Sequence, residues 1–213
     1  MSIKLPIKDI RNIHNGYDLT LNSGLTALVG PNGAGKTTLL GQLAEYAKEN
    51  QIPYFMYSNF SDGGHFAMDR YLANGDVARF SAAMWSSEGE QVALNFGAQL
   101  VEMGSKTRKA VEEGKDILLL IDAVDSGASI DRVRELREVF SLMSKDANVY
   151  IVAAANQYEM VRDGADCVDV RAGEHLTFHS YDEYADFICS YREKQKQKNR
   201  KEMRVLYAEK VQA

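Results

Sequence analysis

Cysteines and long apolar runs are scarce in this chain, and each scarcity excludes a class of protein. Cys167 and Cys189 are the only cysteines among 213 residues, so neither a disulfide framework nor a cysteine-based zinc site is expected. No apolar run approaches the roughly 20 residues that a membrane span requires, and no long apolar segment follows the first lysines. We therefore expect a soluble, cytoplasmic protein that is neither exported nor inserted in a membrane.

An excess of positive charge is also missing. The formal net charge of −5 excludes a polycation that coats nucleic acid with its whole surface. The hydrophobic share of 45% and the charged share of 26% are ordinary for a globular protein. The length suits one α/β domain or two small ones, and neither an internal repeat nor a low-complexity linker divides the chain.

Residues 30–38, GPNGAGKTT, are the most informative stretch. They fit the phosphate-binding pattern G-x-x-x-x-G-K-[ST], between an apolar strand-like run and a helix-like run. Glycines let backbone N–H groups turn inward as an anion nest at a helix N-terminus. Lys36 is expected to reach the β- and γ-phosphates, and the Thr37 hydroxyl to ligate Mg²⁺. The predicted phosphate-binding residues are Asn32, Gly33, Ala34, Gly35, Lys36, Thr37 and Thr38.

Strand-like and helix-like segments alternate along the chain, which favours an α/β fold with a largely parallel sheet flanked by helices. The N-terminal strands and the turn at residues 22–24 indicate an antiparallel region. Residues 58–85 carry no clear pattern. Predicted strands cover residues 3–5, 17–21, 25–29, 52–57, 117–121, 149–155 and 167–170, and predicted helices cover 36–49, 90–113, 130–144 and 181–209.

The apolar run 117–121 ends in Asp122. Many buried strands end in an aspartate that serves only as a turn or cap residue. After a phosphate-binding loop, however, such a carboxylate is suited to hold the Mg²⁺ shell beside Thr37. Thr37 and Asp122 are therefore the predicted metal-binding residues.

A third motif, SSEGEQ at residues 86–91, precedes a predicted helix. Ser87 can cap that helix, whose N-terminus can face an anion. In this context the motif resembles the signature sequence of the ATP-binding-cassette (ABC) superfamily, with Ser87, Gly89 and Glu90 at its matching positions. Residues 125–129, DSGAS, resemble the D-loop of the same family.

The resemblance implies an ABC-type P-loop NTPase domain over residues 1–190. It further implies that ATP and Mg²⁺ bind between the phosphate loop of one copy and Ser87, Gly89 and Glu90 of another, in an ATP-dependent homodimer. Only 51 positions separate Lys36 from Ser87, too few for a transporter's long helical subdomain or for the coiled coil of SMC-like heads. A reduced helical subdomain is expected, as in compact stand-alone ABC ATPases of bacteriophage and bacterial genomes.

Three positions depart from the family pattern, and all bear on hydrolysis rather than on binding. Ala123 occupies the position of the catalytic glutamate and can do no acid–base chemistry; a natural loss and a deliberate replacement are both open. Asp125 is nearby but is expected to point elsewhere. Asn156 occupies the switch-histidine position and cannot take a proton. The usual loop glutamine is absent; Asn59 and Asp62 are the candidates to replace it, and an ordinary polar loop residue is the alternative for each.

The sequence leaves two alternatives open for the adenine contact and two for the C-terminal tail. Arg11 and Tyr17 lie where the family packs a side chain on adenine, and an edge-strand role is equally open. The tail, residues 191–213, concentrates positive charge in an acidic chain. It is either a docking element for nucleic acid or an acidic protein or a solvated helix face. Residues 191–204 hold most of this charge, with Glu193 and Glu202 against Arg192, Lys194, Lys196, Lys198, Arg200, Lys201 and Arg204.

Three functions fit these observations. The first is an ABC-type ATPase whose ATP-driven dimerisation switches a partner, which could be DNA, a nuclease or a defence-related protein. The second is a pseudo-ATPase that holds ATP as a structural clamp. The third is the ATPase subunit of a transporter, against which the short interval between Lys36 and Ser87 argues.

Overall fold

The computed structural model describes residues 2–9, 16–59, 69, 71–85, 88–123, 125–126 and 128–191. Its strands are β1 (Ser2–Ile7), β2 (Tyr17–Asn22), β3 (Gly24–Val29), β4 (Tyr54–Ser58), β5 (Ile117–Asp122), β6 (Val149–Ala154), β7 (Asp166–Asp169) and β8 (His175–Leu176). Its helices include α1 (Lys36–Glu49), α2 (Val77–Met84), α3 (Glu88–Glu112), α4 (Ile130–Met143) and α5 (Tyr158–Val161). Residues 181–191 are also helical.

The central sheet has six strands in the order β4-β5-β6-β3-β7-β8. All neighbours are parallel except β7 and β8, which are antiparallel. Strands β1 and β2 form a separate antiparallel pair. The predicted α/β fold, with a largely parallel sheet and an antiparallel N-terminal region, is therefore confirmed. Strand β6 lies between β3 and β5, so three chain segments leave the sheet side by side at its carboxyl edge.

Both faces of the sheet are covered, which explains the continuous apolar run of β5. Ile117, Leu119 and Ile121 belong to one buried cluster, while Leu118 and Leu120 belong to the other. Successive side chains of a strand point to opposite faces, so a strand between two layers is apolar throughout. The first cluster takes in residues of α3 and α4. The second takes in residues of α1, β1 and β2.

The interval between β4 and β5 holds the helical subdomain, as far as the structure describes it. Helix α2 falls in residues 58–85, for which no element was predicted, and α3 runs for 25 residues. Phe96 and Met103 of α3 are buried against the sheet, one helical repeat of seven positions apart. Among the described residues of this interval, one face of α3 thus packs against the sheet.

The expected absence of a membrane span can be checked over the described residues only. Within those ranges, no helix combines the length and the apolar character needed to cross a bilayer. Residues 192–213, most of the predicted basic tail, lie outside the described part of the chain.

His175 joins the two sheets. Its ring Nδ1 lies 2.6 Å from Oδ1 of Asp166, and its Nε2 lies 2.8 Å from the carbonyl oxygen of Thr20 in β2. Both partners are acceptors, so both nitrogens donate only when the ring is protonated. Burial opposes that charge, but the hydrogen bond and the charge of Asp166, with the Thr20 carbonyl, raise the pKa of His175 above its usual value.

We expect the stability of the fold to fall as this imidazolium is lost. Because the folded-state pKa is raised, the stabilisation is fully present below the unfolded pKa of about 6.5 and disappears as pH rises through the folded value. Urea unfolding at pH 6 and pH 8.5 should show a smaller pH difference for His175→Gln than for the parent chain. The same substitution at the exposed His179 is the control. Equal pH differences in the parent and His175→Gln would contradict the role of this contact.

Candidate functional site

The loop after β3 takes the conformation that its glycines allow. Gly33 and Gly35 have φ angles of 81° and 102°, in the left-handed region that L side chains rarely adopt. Gly30 has φ 149°, and a Cβ there would lie 2.9 Å from Cβ of Ala34. Gly35 leads directly into α1, so the loop presents its backbone at a helix N-terminus, the positive end of the helix dipole.

Lys36 is only 8% exposed, although it is the first residue of α1. Its Nζ donates to the carbonyl oxygens of Gly30 at 2.6 Å and Pro31 at 3.3 Å. Burial lowers its pKa, and the nearby carboxylates of Asp125 and Asp122 oppose that shift. The ammonium group is therefore held inside its own loop by backbone oxygens.

Thr37 and Asp122 meet although 85 positions separate them. The Thr37 hydroxyl donates to Oδ2 of Asp122 at 2.9 Å. Burial raises the pKa of Asp122, against the hydrogen bonds from Thr37 and Ser58 and the charge of Lys36. A hydroxyl and a carboxylate that meet at the carboxyl edge are oxygen donors of the kind Mg²⁺ prefers, alongside phosphate oxygens. The two predicted metal-binding residues are thus brought together.

A cavity of about 550 Å³ opens where these elements converge. It contains every predicted phosphate-loop residue, together with Asp122, Ala123 and Asn156. Ser126 and Ala154 also line it, and the sequence did not single out either as a site residue. The lining residues are Asn32, Gly33, Ala34, Gly35, Lys36, Thr37, Thr38, Asp122, Ala123, Ser126, Ala154 and Asn156.

Ala123, at the position where the family has its glutamate, is 7% exposed and lines this cavity. Its φ of 54° lies in the left-handed region, which is unusual for a residue with a Cβ. The turn that follows is closed by a hydrogen bond from the Ser126 N–H to the Ala123 carbonyl at 3.1 Å. A methyl group therefore stands on the cavity wall beside Asp122.

The Asp125 carboxylate binds the loop after β6, and Asp125 is not among the residues that line the cavity. Its buried carboxylate accepts from the backbone N–H groups of Asn156 at 2.6 Å and Gln157 at 2.8 Å. The Gln157 side chain returns two bonds, to the carbonyl oxygens of Asp125 at 2.7 Å and Ala128 at 2.9 Å. These contacts fix the segment after β5 to the segment after β6. Residues 31 positions apart give no local signal of such pairing.

The signature residues cannot all be placed. Ser87 lies outside the described residues. Gly89 and Glu90 are in the first turn of α3, where the structure describes the backbone but not the side chains. Helix α3 begins at Glu88, close to the predicted start at 90. The side chains of this motif therefore stay predictions.

The remaining candidates lie elsewhere. Asn59 accepts from the Tyr57 hydroxyl at 3.4 Å and is not among the cavity-lining residues, while Asp62 and Arg11 fall outside the described ranges. The Tyr17 hydroxyl donates to the carbonyl of Val170 at 2.7 Å, and its ring lies against Gly173. Tyr17 thus joins β2 to the segment after β7.

Comparison with known proteins addresses the family. A family model described as an AAA domain matches residues 4–210, a range that includes the phosphate loop, Asp122 and Asn156. The chain belongs to this AAA domain family. With the glycine-loop geometry above, that membership supports a P-loop ATPase domain that binds nucleotide. The finer ABC-type assignment is taken up below.

A curated relative is also similar to part of this AAA domain. The flagellar biosynthesis protein FlhF of Aquifex aeolicus (strain VF5) is 30% identical over 139 residues, which are 64% of this chain and 32% of that protein. The chain thus matches about a third of the relative's length.

No protein-only metal cluster competes with the Thr37 and Asp122 pair in the part of the chain that is described. Within those residues, no group of three or more histidine, cysteine, aspartate or glutamate side chains is arranged to hold a metal ion.

The pairing of the two loops generates a stability prediction for the Asp125 side chain. Asp125→Ala should lower the free energy of unfolding by about 2–4 kcal/mol, because two backbone N–H groups lose a charged acceptor. Asp125→Asn keeps one carbonyl oxygen and should lose less. Urea denaturation measures both, with the exposed Asp146→Ala as a control expected to stay within about 0.5 kcal/mol. A loss below about 1 kcal/mol for Asp125→Ala would contradict this role.

Proposed function

We propose that the chain is an ABC-type ATPase that binds Mg²⁺-ATP in the cavity after β3 and pairs with a second copy to switch a partner. The observation that carries the proposal is the cavity itself. It combines the glycine loop, Lys36, and the 2.9 Å contact between Thr37 and Asp122. Volumes of this size are typical of small-molecule sites.

The chemistry of the lining fits a polyphosphate and its metal ion. The loop N–H groups and Lys36 supply donors and positive charge, while Thr37 and Asp122 supply oxygen ligands. Burial disfavours the charged forms of Lys36 and Asp122. An anion beside the ammonium and a cation beside the carboxylate would each stabilise the charge that burial disfavours. Lys36 would exchange its bonds to backbone carbonyls for bonds to phosphate oxygens.

The order of motifs supports the ABC type. Phosphate loop, SSEGEQ motif, Asp122 and DSGAS motif follow one another as in that family, and α3 begins at Glu88, directly after Ser87. In the proposed homodimer, Ser87, Gly89 and Glu90 of one copy face the γ-phosphate held by Lys36 of the other. The γ-phosphate would then be the charge that bridges the two copies.

Hydrolysis by this chain is proposed to be slow. A water-activating base is needed on the cavity wall beside Asp122, and Ala123 offers only a methyl group there. Asn156, on the same side of the cavity, can donate a hydrogen bond to a terminal phosphate but cannot accept a proton from water in the manner of histidine.

The alternative is a pseudo-ATPase that retains ATP as a structural clamp. Ala123 favours the pseudo-ATPase, because it supplies no general base. The pseudo-ATPase and the slow ATPase differ in whether any ATP is hydrolysed. The transporter subunit remains the weakest of the three proposals, since only 51 positions separate Lys36 from Ser87, too few for a transporter's long helical subdomain.

The partner is proposed to dock on the basic tail. Seven lysines and arginines fall within residues 192–204 of a chain whose net charge is −5. Charge segregated in this way attracts polyanions, and salt screens the attraction. DNA or an acidic protein is the chemistry that such a segment fits.

Restoring a carboxylate at position 123 should raise turnover. Ala123→Glu should increase the rate of phosphate release by roughly 10²–10⁴-fold, the range of an ordinary general base. The matched control is Ala123→Gln, which has the same shape but no basic carboxylate and should leave the rate near that of the parent chain. An unchanged rate in Ala123→Glu, or an equal increase in both variants, would contradict the proposed hydrolytic site.

Dimerisation should depend on ATP. Ser87→Arg places a bulky cation where the partner's γ-phosphate would be held, so the dimer should be lost while each monomer still binds Mg²⁺-ATP through its own phosphate loop. Light scattering gives the mass with and without ATP, and calorimetry gives nucleotide binding. A dimer that forms without ATP, or a Ser87→Arg chain that dimerises with ATP, would contradict the composite site.

A further inference from the structure

The helical residues 181–191 cross the carboxyl edge of the sheet, beside the phosphate cavity. Near their start, the Tyr184 hydroxyl donates to the main-chain carbonyl of Asn156 at 3.0 Å, just after β6. At their end, the Tyr191 hydroxyl donates to Oδ1 of Asp169 at 3.3 Å, in the last residue of β7. The segment therefore touches the chain on both sides of β3 and its phosphate loop.

Helix and sheet dimensions explain why both contacts form. Tyr184 and Tyr191 are seven positions apart, which corresponds to about 10.5 Å along an α-helix and returns to the same face after two turns. From β6 through β3 to β7 the sheet spans two strand spacings, about 9.6 Å. One face of the helix thus matches the distance between these two strand ends.

The Tyr184 ring is fixed in place. The side chain is 6% exposed. Its ring centroid lies 5.3 Å from that of Phe178, in an edge-on contact, and 6.0 Å from that of Tyr158. Burial, with smaller contributions from Asp125, Cys167 and Tyr181, raises the pKa of Tyr184 to about 12. The hydroxyl therefore keeps its proton at neutral pH and remains a donor.

Asn156 is consequently held from both sides. Asp125 accepts from its N–H at 2.6 Å, and Tyr184 donates to its carbonyl at 3.0 Å. The Asn156 side-chain amide lies 3.5 Å from Oδ1 of Asp125 and borders the cavity. A side chain whose two flanking peptide groups are fixed loses little freedom when it binds a ligand.

We propose that Tyr184 is a positioning residue for Asn156, and that its hydroxyl contributes to the preference of the cavity for a nucleoside triphosphate over the diphosphate. The inference rests on the nucleotide function proposed above. The phosphate loop and Lys36 supply the contacts that a diphosphate and a triphosphate share. Asn156 lies with Asp122 and Ala123 on the wall that the loop does not form, where a terminal phosphate extends.

Calorimetric titration of the full chain with ATP and with ADP, each with Mg²⁺, tests the inference. Tyr184→Phe keeps the packed ring and removes only the hydroxyl. We expect its Kd for ATP to rise by about three- to tenfold, as for one lost hydrogen bond, and its Kd for ADP to change by less than about twofold. Tyr181→Phe is the matched control, because it removes a hydroxyl from a 63% exposed side chain in the same helical segment.

A double-mutant cycle separates positioning from general stability. Asn156→Ala should reduce the preference for ATP over ADP. Adding Tyr184→Phe to Asn156→Ala should have little further effect, because Tyr184 acts through Asn156. A purely structural role would instead weaken ATP and ADP binding equally, lower the melting temperature, and add to the effect of Asn156→Ala.

These titrations distinguish an error in the role of Tyr184 from an error in the proposed nucleotide-binding function. A parent chain that binds neither nucleotide contradicts the proposed function and this inference together. A parent chain that binds ATP and ADP equally contradicts the role of Asn156. If the parent prefers ATP and Tyr184→Phe keeps the same ratio of Kd values, the nucleotide function stands and the role of Tyr184 is wrong.

Discussion

The hydrogen bond from Thr37 to Asp122 joins the first turn of α1 to the end of β5, and the site depends on the register that makes it form. Strands β3 and β5 are not neighbours, since β6 lies between them. Helix α1 bridges that gap by packing its apolar face across the sheet, with Leu39, Leu40 and Leu43 buried in the same cluster as Leu118 and Leu120 of β5. Packing of these leucines thus sets the distance between a hydroxyl and a carboxylate at the sheet edge.

The intervening strand gives the cavity its third wall. Strand β6 ends between the phosphate loop and Asp122. Asn156, two residues after the end of β6, therefore lines the same cavity. Its backbone is satisfied by Asp125 on one side and Tyr184 on the other. Both hydrogen-bonding groups of the Asn156 backbone are thus paired within the protein.

The sequence predicted those parts of the fold that local pattern determines. Strand β5 could be predicted because a strand buried on both faces is apolar at every position. The phosphate loop could be predicted because Gly33 and Gly35 adopt positive φ angles that other residues rarely adopt. Asp122 was singled out because it ends such an apolar strand in a chain with a phosphate loop, and Asn156 because of the resemblance to the ABC family. The contacts of Asp125, Gln157 and Tyr184 could not be predicted, because they join residues about 30 positions apart through hydrogen bonds that leave no periodic signal. Helix α2 and the two-residue β8 were missed because short elements carry too few positions to establish a period.

The segment 181–191 also has a consequence for cooperativity. Tyr184 is buried in the cluster on one face of the sheet and Tyr191 in the cluster on the other, while Phe187 packs against both. Detaching this segment would open both layers at once, so it cannot separate from the sheet without disturbing both clusters. The two faces of the sheet should consequently unfold in a single transition, with this helix as the element that couples them.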